Sequence, residues 1–144
     1  MTKKIFKSNI LVAVVVLIFG IACVMAILYQ HFGKQIDTEL KKEATYLAYG
    51  VEQNGVDYLN QIKEQDDRIT YIAEDGTVLY DNQADSSSME NHSDRKEFQE
   101  AQKDGSGYAD RISDTLSQKT VYYAVRLSDN SVLRISSTQA SVLV

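Results

Sequence analysis

Residues able to do polar chemistry gather in two places along this chain. The densest group is Asn91-His92-Ser93-Asp94-Arg95. Backbone N–H groups at the start of a helix, together with His92 and Arg95, could hold an anion. Side chains at such junctions also anchor loops: Asn91 and His92 would then tie backbone groups, and Arg95 would pair with a carboxylate such as Asp81. Both readings are open. The second group is Arg111, Tyr122, Arg126 and Arg134. Arg126 and Arg134 on neighbouring strands would repel each other unless something negative lies between them. A ligand carboxylate or phosphate, acids of the protein or plain solvation would each relieve that repulsion.

No catalytic set accompanies these residues. The chain has two histidines, His31 and His92, and one cysteine, Cys23. Glycine-rich phosphate loops and the HExxH zinc motif are both missing from the sequence, and no Cys/His ligand spacing appears. The acids Glu74, Asp75, Asp81, Asp85, Glu90 and Asp94 lack the spacing of a calcium loop and read as solvated loop positions. No metal and no cofactor is expected, and the fragment itself is not expected to be an enzyme.

The elements that must position these residues begin with an uncharged run, Ile10 to Tyr29. As a helix it spans about 30 Å, the thickness of a bilayer's hydrocarbon core. Lys3, Lys4 and Lys7 precede it, so the positive-inside rule keeps the N-terminus in the cytoplasm. The run exceeds a signal peptide's apolar core and no A-x-A cleavage site follows, so an uncleaved anchor is expected. The expected organisation is a cytoplasmic N-terminus over 1–8, a transmembrane helix over 9–30 and an extracytoplasmic sensor domain over 31–140. The closing Ser141-Val142-Leu143-Val144 reads as the truncated start of a second span.

Of the net charge of −5, the first nine residues carry +3, which leaves −8 for the remainder. That sign argues against nucleic acid and against the anionic headgroup surface. The outer part contains no cysteine and therefore no disulfide, so its core alone must hold it together.

Beyond the anchor, Ile36, Leu40, Ala44, Leu47 and Val51 follow a 3.6-residue period and predict a helix over Gln30–Gln53 that ends at Asn54-Gly55. This stripe either packs on the domain's own sheet or forms a seam in a dimer. A short helix is expected over Val56–Gln65. Strands over Ile69–Ala73 and Thr77–Asp81 flank Asp75-Gly76, a two-residue hairpin signal that would set Tyr71 opposite Tyr80 and Ile72 opposite Leu79. Both faces of this hairpin are apolar enough to be covered, as for a central strand. A helix from Asp94 to Lys103 is expected to start with Ser93 or Asp94 as cap and Glu97 in a capping box, with Phe98 and Ala101 inward.

Three further strands are expected, Tyr108–Ser113, Thr120–Leu127 and Val132–Ser136. A loop Asp129-Asn130-Ser131 would place Leu127 opposite Leu133, Val125 opposite Ile135 and Arg126 opposite Arg134. Asn130 or Ser131 would then be left-handed. Tyr123, Val125, Leu127, Leu133 and Ile135 would line a core face, and Tyr122, Arg126 and Arg134 the other.

This order of elements resembles that of an extracytoplasmic PAS or single-Cache sensor. The expected class is α+β, a transmembrane helix followed by a five-stranded antiparallel sheet backed by the long helix. The segments DRITYIAEDGTVLYDN, MENHSDRKEFQEA, GSGYADRISDTL and YYAVRLSDNSVLRIS resemble the extracytoplasmic sensor of phosphate-regulon-type sensor histidine kinases. Two positions depart from that pattern: Lys96 stands where it has proline, and Asp129-Asn130 replaces Asp-Gly. The resemblance implies a two-component sensor, homodimeric, with a second span and a kinase core in the residues that follow. The arginines and the acidity of the outer part leave a small anionic ligand or an envelope protein as the expected partner. A membrane-anchored binding module and a chemoreceptor-type sensor are the alternatives.

Overall fold

The structure is a computed structural model and describes residues 2–62, 67–113 and 118–140. Residues 114–117, most of the polar turn expected over Asp114–Lys119, the stretch 63–65 of the expected second helix, and Ser141–Val144 lie outside the described residues. Two compact units divide the chain, residues 1–37 and 38–144. Helix α1 runs from Thr2 to Asn54. In the first unit, every residue from Ile10 to Tyr29 is exposed. The mean hydropathy of its most apolar 18-residue window is 3.3, enough in length and composition to cross a membrane.

The second unit starts with the rest of α1. Leu40, Ala44, Leu47 and Val51 are buried there, as the helical period predicts, and Ala48 is buried beside them, whereas Tyr46 and Tyr49 stay exposed and Ile36, in the first unit, is only half-buried. Burial of this stripe within the unit fits packing on the domain's own sheet. The second helix, α2, is only Asp57–Gln61, shorter than expected, and its Leu59 is buried.

Five strands form one antiparallel sheet: β1 Arg68–Ile72, β2 Val78–Asp81, β3 Ser106–Ser113, β4 Gln118–Arg126 and β5 Val132–Ala140. Their order is β2-β1-β5-β4-β3. Thus β1 is interior, but its hairpin partner β2 is an edge strand. Tyr71 opposes Tyr80 as expected, but Ile72 opposes Val78, because a bulge sits between the two pairs. The loop has three residues, not two. Ala73 N–H donates to Thr77 O and Gly76 N–H to Ala73 O, with Gly76 at φ 88°. The bulge leaves Leu79 without a partner and 52% exposed, a device that also blunts the edge.

The final hairpin has the expected three-residue loop, but one residue earlier in the chain. Leu127 N–H donates to Ser131 O and Asn130 N–H to Leu127 O, so the loop is Ser128-Asp129-Asn130. Asn130 takes the left-handed conformation at φ 65°. The pairs are therefore Val125 with Leu133, Tyr123 with Ile135, Ala124 with Arg134 and Arg126 with Val132. Arg126 and Arg134 are not opposite each other. The slip is two residues, an even number, so every side chain keeps its predicted face.

One face carries Ile69, Tyr71, Val121, Leu133 and Ile135. The end of α1 lies on this side, where Val51, Gly55 and Val56 line a shallow groove with Tyr71 and Leu127. Ser128 N–H also donates to Glu52 Oε1 at 2.9 Å. The other face carries Ile72, Ala124 and Val132 under helix α3, Lys96–Asp104, whose Phe98 and Ala101 complete that cluster. At Gly107, β3 approaches α3 so closely that a Cβ would fall on the Glu97 carbonyl and the Ala101 nitrogen.

Candidate functional site

On the α3 side of the sheet, apolar packing gives way to a ladder of charge. Strand pairing puts Arg68, Thr70, Arg134, Ser136, Tyr122, Ala124 and Arg111 on this face, with Asp81 from β2. Arg68 Nε donates to Asp81 Oδ2 at 2.9 Å. The Thr70 hydroxyl donates to the same carboxylate oxygen at 2.9 Å and accepts from Arg134 Nη2 at 3.1 Å. Arg134 Nη1 donates to Glu97 Oε1 at 3.2 Å, and Arg111 Nη2 to Glu97 Oε2 at 2.6 Å. The Tyr122 ring lies beneath both guanidinium groups, 4.2 Å from Arg111 Cζ and 5.4 Å from Arg134 Cζ. Cation–π attraction to a shared ring holds the two arginines in one orientation.

Glu97 is fully buried and its carboxylate bridges two arginines. It does not close a capping box. The residue before α3 is Arg95, which makes no side-chain cap bond, and neither Ser93 nor Asp94 occupies the cap position. Glu97 sits one turn before Ala101 on the inward stripe of α3. An acid on an apolar stripe, facing a sheet face rich in arginine, was the signal for this bridge. A carboxylate in the first turn is also favoured by the helix dipole.

Burial pulls the Arg134 guanidinium below its ordinary value, with Glu97 opposing. Burial acts the same way on Arg111, yet hydrogen bonds to Glu97 and Tyr122 outweigh it and the net direction is upward. Arginine stays charged in either case.

The 91–95 loop lies over this ladder. Asn91 Nδ2 donates to Asp75 O at 2.9 Å and Asn91 Oδ1 accepts from Ser93 N at 2.8 Å, which ties the loop to the β1–β2 turn. His92 N–H donates to Gly76 O at 2.8 Å. A side chain on Gly76 would collide with Asn91 and Ser93. His92 is buried, and its imidazole is pushed down to about 4. Burial is the main cause, the nearby charges of Arg134, Arg95 and Arg68 add to it, and Glu97 opposes. Arg95 Nε lies 3.5 Å from Asp94 Oδ1, within ion-pair range but without a hydrogen bond. Asp81 pairs with Arg68, so the expected Arg95–Asp81 pair is not formed.

The structure thus brings His92, Arg95, Arg111, Tyr122 and Arg134 into one neighbourhood, with Asn91 as a clamp on its loop. Arg126 stands apart: it is exposed and donates to the Gln102 carbonyl near the end of α3. Sequence reading missed Glu97, Thr70 and Asp81 as members of the ladder. Among the described residues no cluster of His, Cys, Asp or Glu fit for a metal ion is present.

A long apolar helix followed by this antiparallel sheet, with a helix and loop over one face, defines a PAS-like sensor domain. The sequence profile of the Single Cache-like family matches residues 30–133, well over half of the chain, and the protein belongs to that family. Among the curated proteins compared with it, none matches. Single Cache-like domains are extracellular sensor modules of signalling proteins, both histidine kinases and chemoreceptors.

Proposed function

We propose that this chain is the extracytoplasmic sensing and transmembrane signalling portion of a two-component sensor histidine kinase, working as a homodimer. Residues 1–8 would face the cytoplasm, 9–30 span the membrane, 31–140 form the outer sensor, and a second span begin at 141. The observation that carries this reading is α1 itself. One helix holds both a membrane-length apolar segment and the buried stripe of a Cache-like domain. The three lysines ahead of that segment support a cytoplasmic N-terminus. The four segments similar to phosphate-regulon-type sensors, DRITYIAEDGTVLYDN among them, favour a kinase over other outputs.

The mechanism is a population shift. A small anionic ligand or an envelope protein with different affinities for two packings of the sheet on α1 would favour one of them. Displacement of α1 within the dimer would carry that bias across the membrane. The outer part's acidity disfavours capture of bulk phosphate at its surface at large.

Reading the gene past the codon for Val144 tests the proposal. A further apolar span, then a helical segment with a phospho-accepting histidine and an ATP-binding module, is the expected result. Long uninterrupted heptads would make the protein a chemoreceptor-type sensor. A stop codon would make it a membrane-anchored binding module. Either outcome overturns the kinase assignment.

A further inference from the structure

A partner that shifts the packing of the sheet on α1 must touch both at once. A groove of about 290 Å³ offers that contact. Val51 and Glu52 from the last turn of α1 form one side, with Val56 just beyond them. Tyr71 of β1, with Leu127 and Asp129 of the final hairpin, forms the other. Val51, Tyr71 and Leu127 are buried and make an apolar floor. Glu52, Ser128 and Asp129 are exposed at the mouth. Glu52 Oε1 accepts from Ser128 N–H at 2.9 Å, so one hydrogen bond already crosses from helix to hairpin.

The mouth carries charge of one sign. Of the described residues that line the groove, Glu52 and Asp129 are acidic and none is basic. Hydrogen bonds from Ser131 hold the Asp129 carboxyl below the usual carboxylate range, so it is ionised at neutral pH. Asp129 Oδ1 accepts from Ser131 N–H at 3.0 Å, and Oδ2 accepts from the Tyr71 hydroxyl at 3.4 Å. Glu74 is tied to the same loop, accepting from Asn130 Nδ2 at 3.2 Å. Arg126, the base nearest this loop in sequence, donates instead to the Gln102 carbonyl of α3. An apolar floor below an anionic mouth complements an aliphatic ammonium group, whose methylenes can lie on the floor while its charge stays at the rim. The groove is shallow and falls short of the roughly 300–1,000 Å³ of pockets that enclose a small ligand. A free amine would leave most of its surface in water there. A side chain presented by another protein would not, because the partner covers what the groove leaves open.

We propose that this groove is the docking point for a lysine side chain of a basic protein in the cell envelope. The ammonium group lies between Glu52 and Asp129, and the methylene stem lies along Val51, Val56 and Leu127. This names the partner's chemistry within the proposed sensor reading, on which its signalling consequence rests. An ammonium shared by Glu52 and Asp129 ties the end of α1 to the final hairpin more firmly than the Ser128 bond alone. It therefore favours one packing of the sheet on α1. The net charge of −8 beyond the first nine residues steers a basic partner toward this domain.

Methyl NMR of the full chain in maltoside micelles, titrated with acetyl-trilysine amide, tests this. Saturable shifts at Val51, Val56 and Leu127 are expected at about millimolar peptide. Acetylating the peptide's three Nζ atoms keeps the stems, removes the charge and should weaken binding about tenfold. E52Q and D129N retain a side-chain oxygen to accept from Ser128 and Ser131, so the hairpin stays formed. Each should weaken binding about fivefold. E90Q removes the same charge from an exposed loop position and should leave binding unchanged. n-Butylammonium chloride should shift the same methyl groups only at about tenfold higher concentration. No shifts at the groove, equal binding of the acetylated peptide, or E52Q and D129N no weaker than E90Q would each overturn the site. Butylammonium binding as tightly as the peptide would assign the groove to free amines and overturn the protein partner. A gene without a kinase core would overturn the proposed function and leave this binding result untouched.

Discussion

The two faces of the sheet are built on opposite principles. On one, Ile69, Tyr71, Val121, Leu133 and Ile135 bury apolar surface beside the end of α1, held by contact area and shape. On the other, the residues between them in sequence, Arg68, Thr70, Tyr122 and Arg134, form a charge ladder closed by Glu97 from α3. Apolar contact is non-directional and tolerates exchange of similar volumes. A buried charge network is directional, and removing one member strands the rest. The first face tolerates exchange of similar volumes, and the second depends on each charged member of the ladder.

Removing the carboxylate that bridges Arg111 and Arg134 should have the largest effect. Glu97→Ala leaves Arg134 buried without its counter-charge and should cost about 4 kcal/mol, within the range for breaking a buried ion pair, measured by denaturant unfolding. A loss near that of an exposed pair, below about 1 kcal/mol, would show that water enters the ladder and that the faces differ less than described. Gly107→Ala comes next. Its Cβ meets the α3 backbone at Glu97 and Ala101, so α3 must shift. The expected cost is about 2 kcal/mol, in the range for overpacking, with an altered Arg111–Glu97 contact visible by NMR.

The third effect depends on pH. His92 is held near 4 in the folded protein against an ordinary 6.5, so the unfolded chain binds the proton first. Stability is complete above pH 6.5 and is lost as pH falls from there toward 4. H92Q should remove this part of the pH profile, as read from unfolding free energies at several pH values. Identical profiles for the two proteins would place His92 in solvent. The smallest effect is expected on the apolar face, where Leu133→Met keeps volume and should cost less than about 1.5 kcal/mol.

Much of this contrast was legible in the sequence. The period of two assigned Tyr122 and Arg134 to one face and Tyr123, Val125, Leu133 and Ile135 to the other, and both hairpin errors left that assignment intact. In the final hairpin the slip was even. In the first, Tyr71 still met Tyr80 because the bulge at Leu79 offset the extra loop residue. The stripe from Leu40 to Val51 was legible for a similar reason, since a helix's buried face repeats over about three turns. The length of the first loop and the position of the last were not legible. Asp75-Gly76 signals a left-handed residue that two-residue and three-residue loops both need, and Asp129-Asn130 marks a three-residue loop without fixing whether it starts at Ser128 or Asp129.

Glu97 was misassigned because a capping box and a buried ion pair place an acid in the same first turn, and only the opposing sheet distinguishes them. His92, Arg95 and Arg134 could be named as candidates from residue type. Their convergence depends on β5 lying beside β1, a non-local pairing that local sequence pattern does not encode.

Everything in the sensor account requires the sheet to lie outside the membrane and the first residues inside. In intact cells carrying C23S, a cysteine at exposed Gln83 (Q83C) and, separately, one at exposed Ser8 (S8C) can be probed with a membrane-impermeant maleimide. The account predicts labelling of Q83C in intact cells and of S8C only after lysis. Labelling of Q83C only after lysis would contradict it.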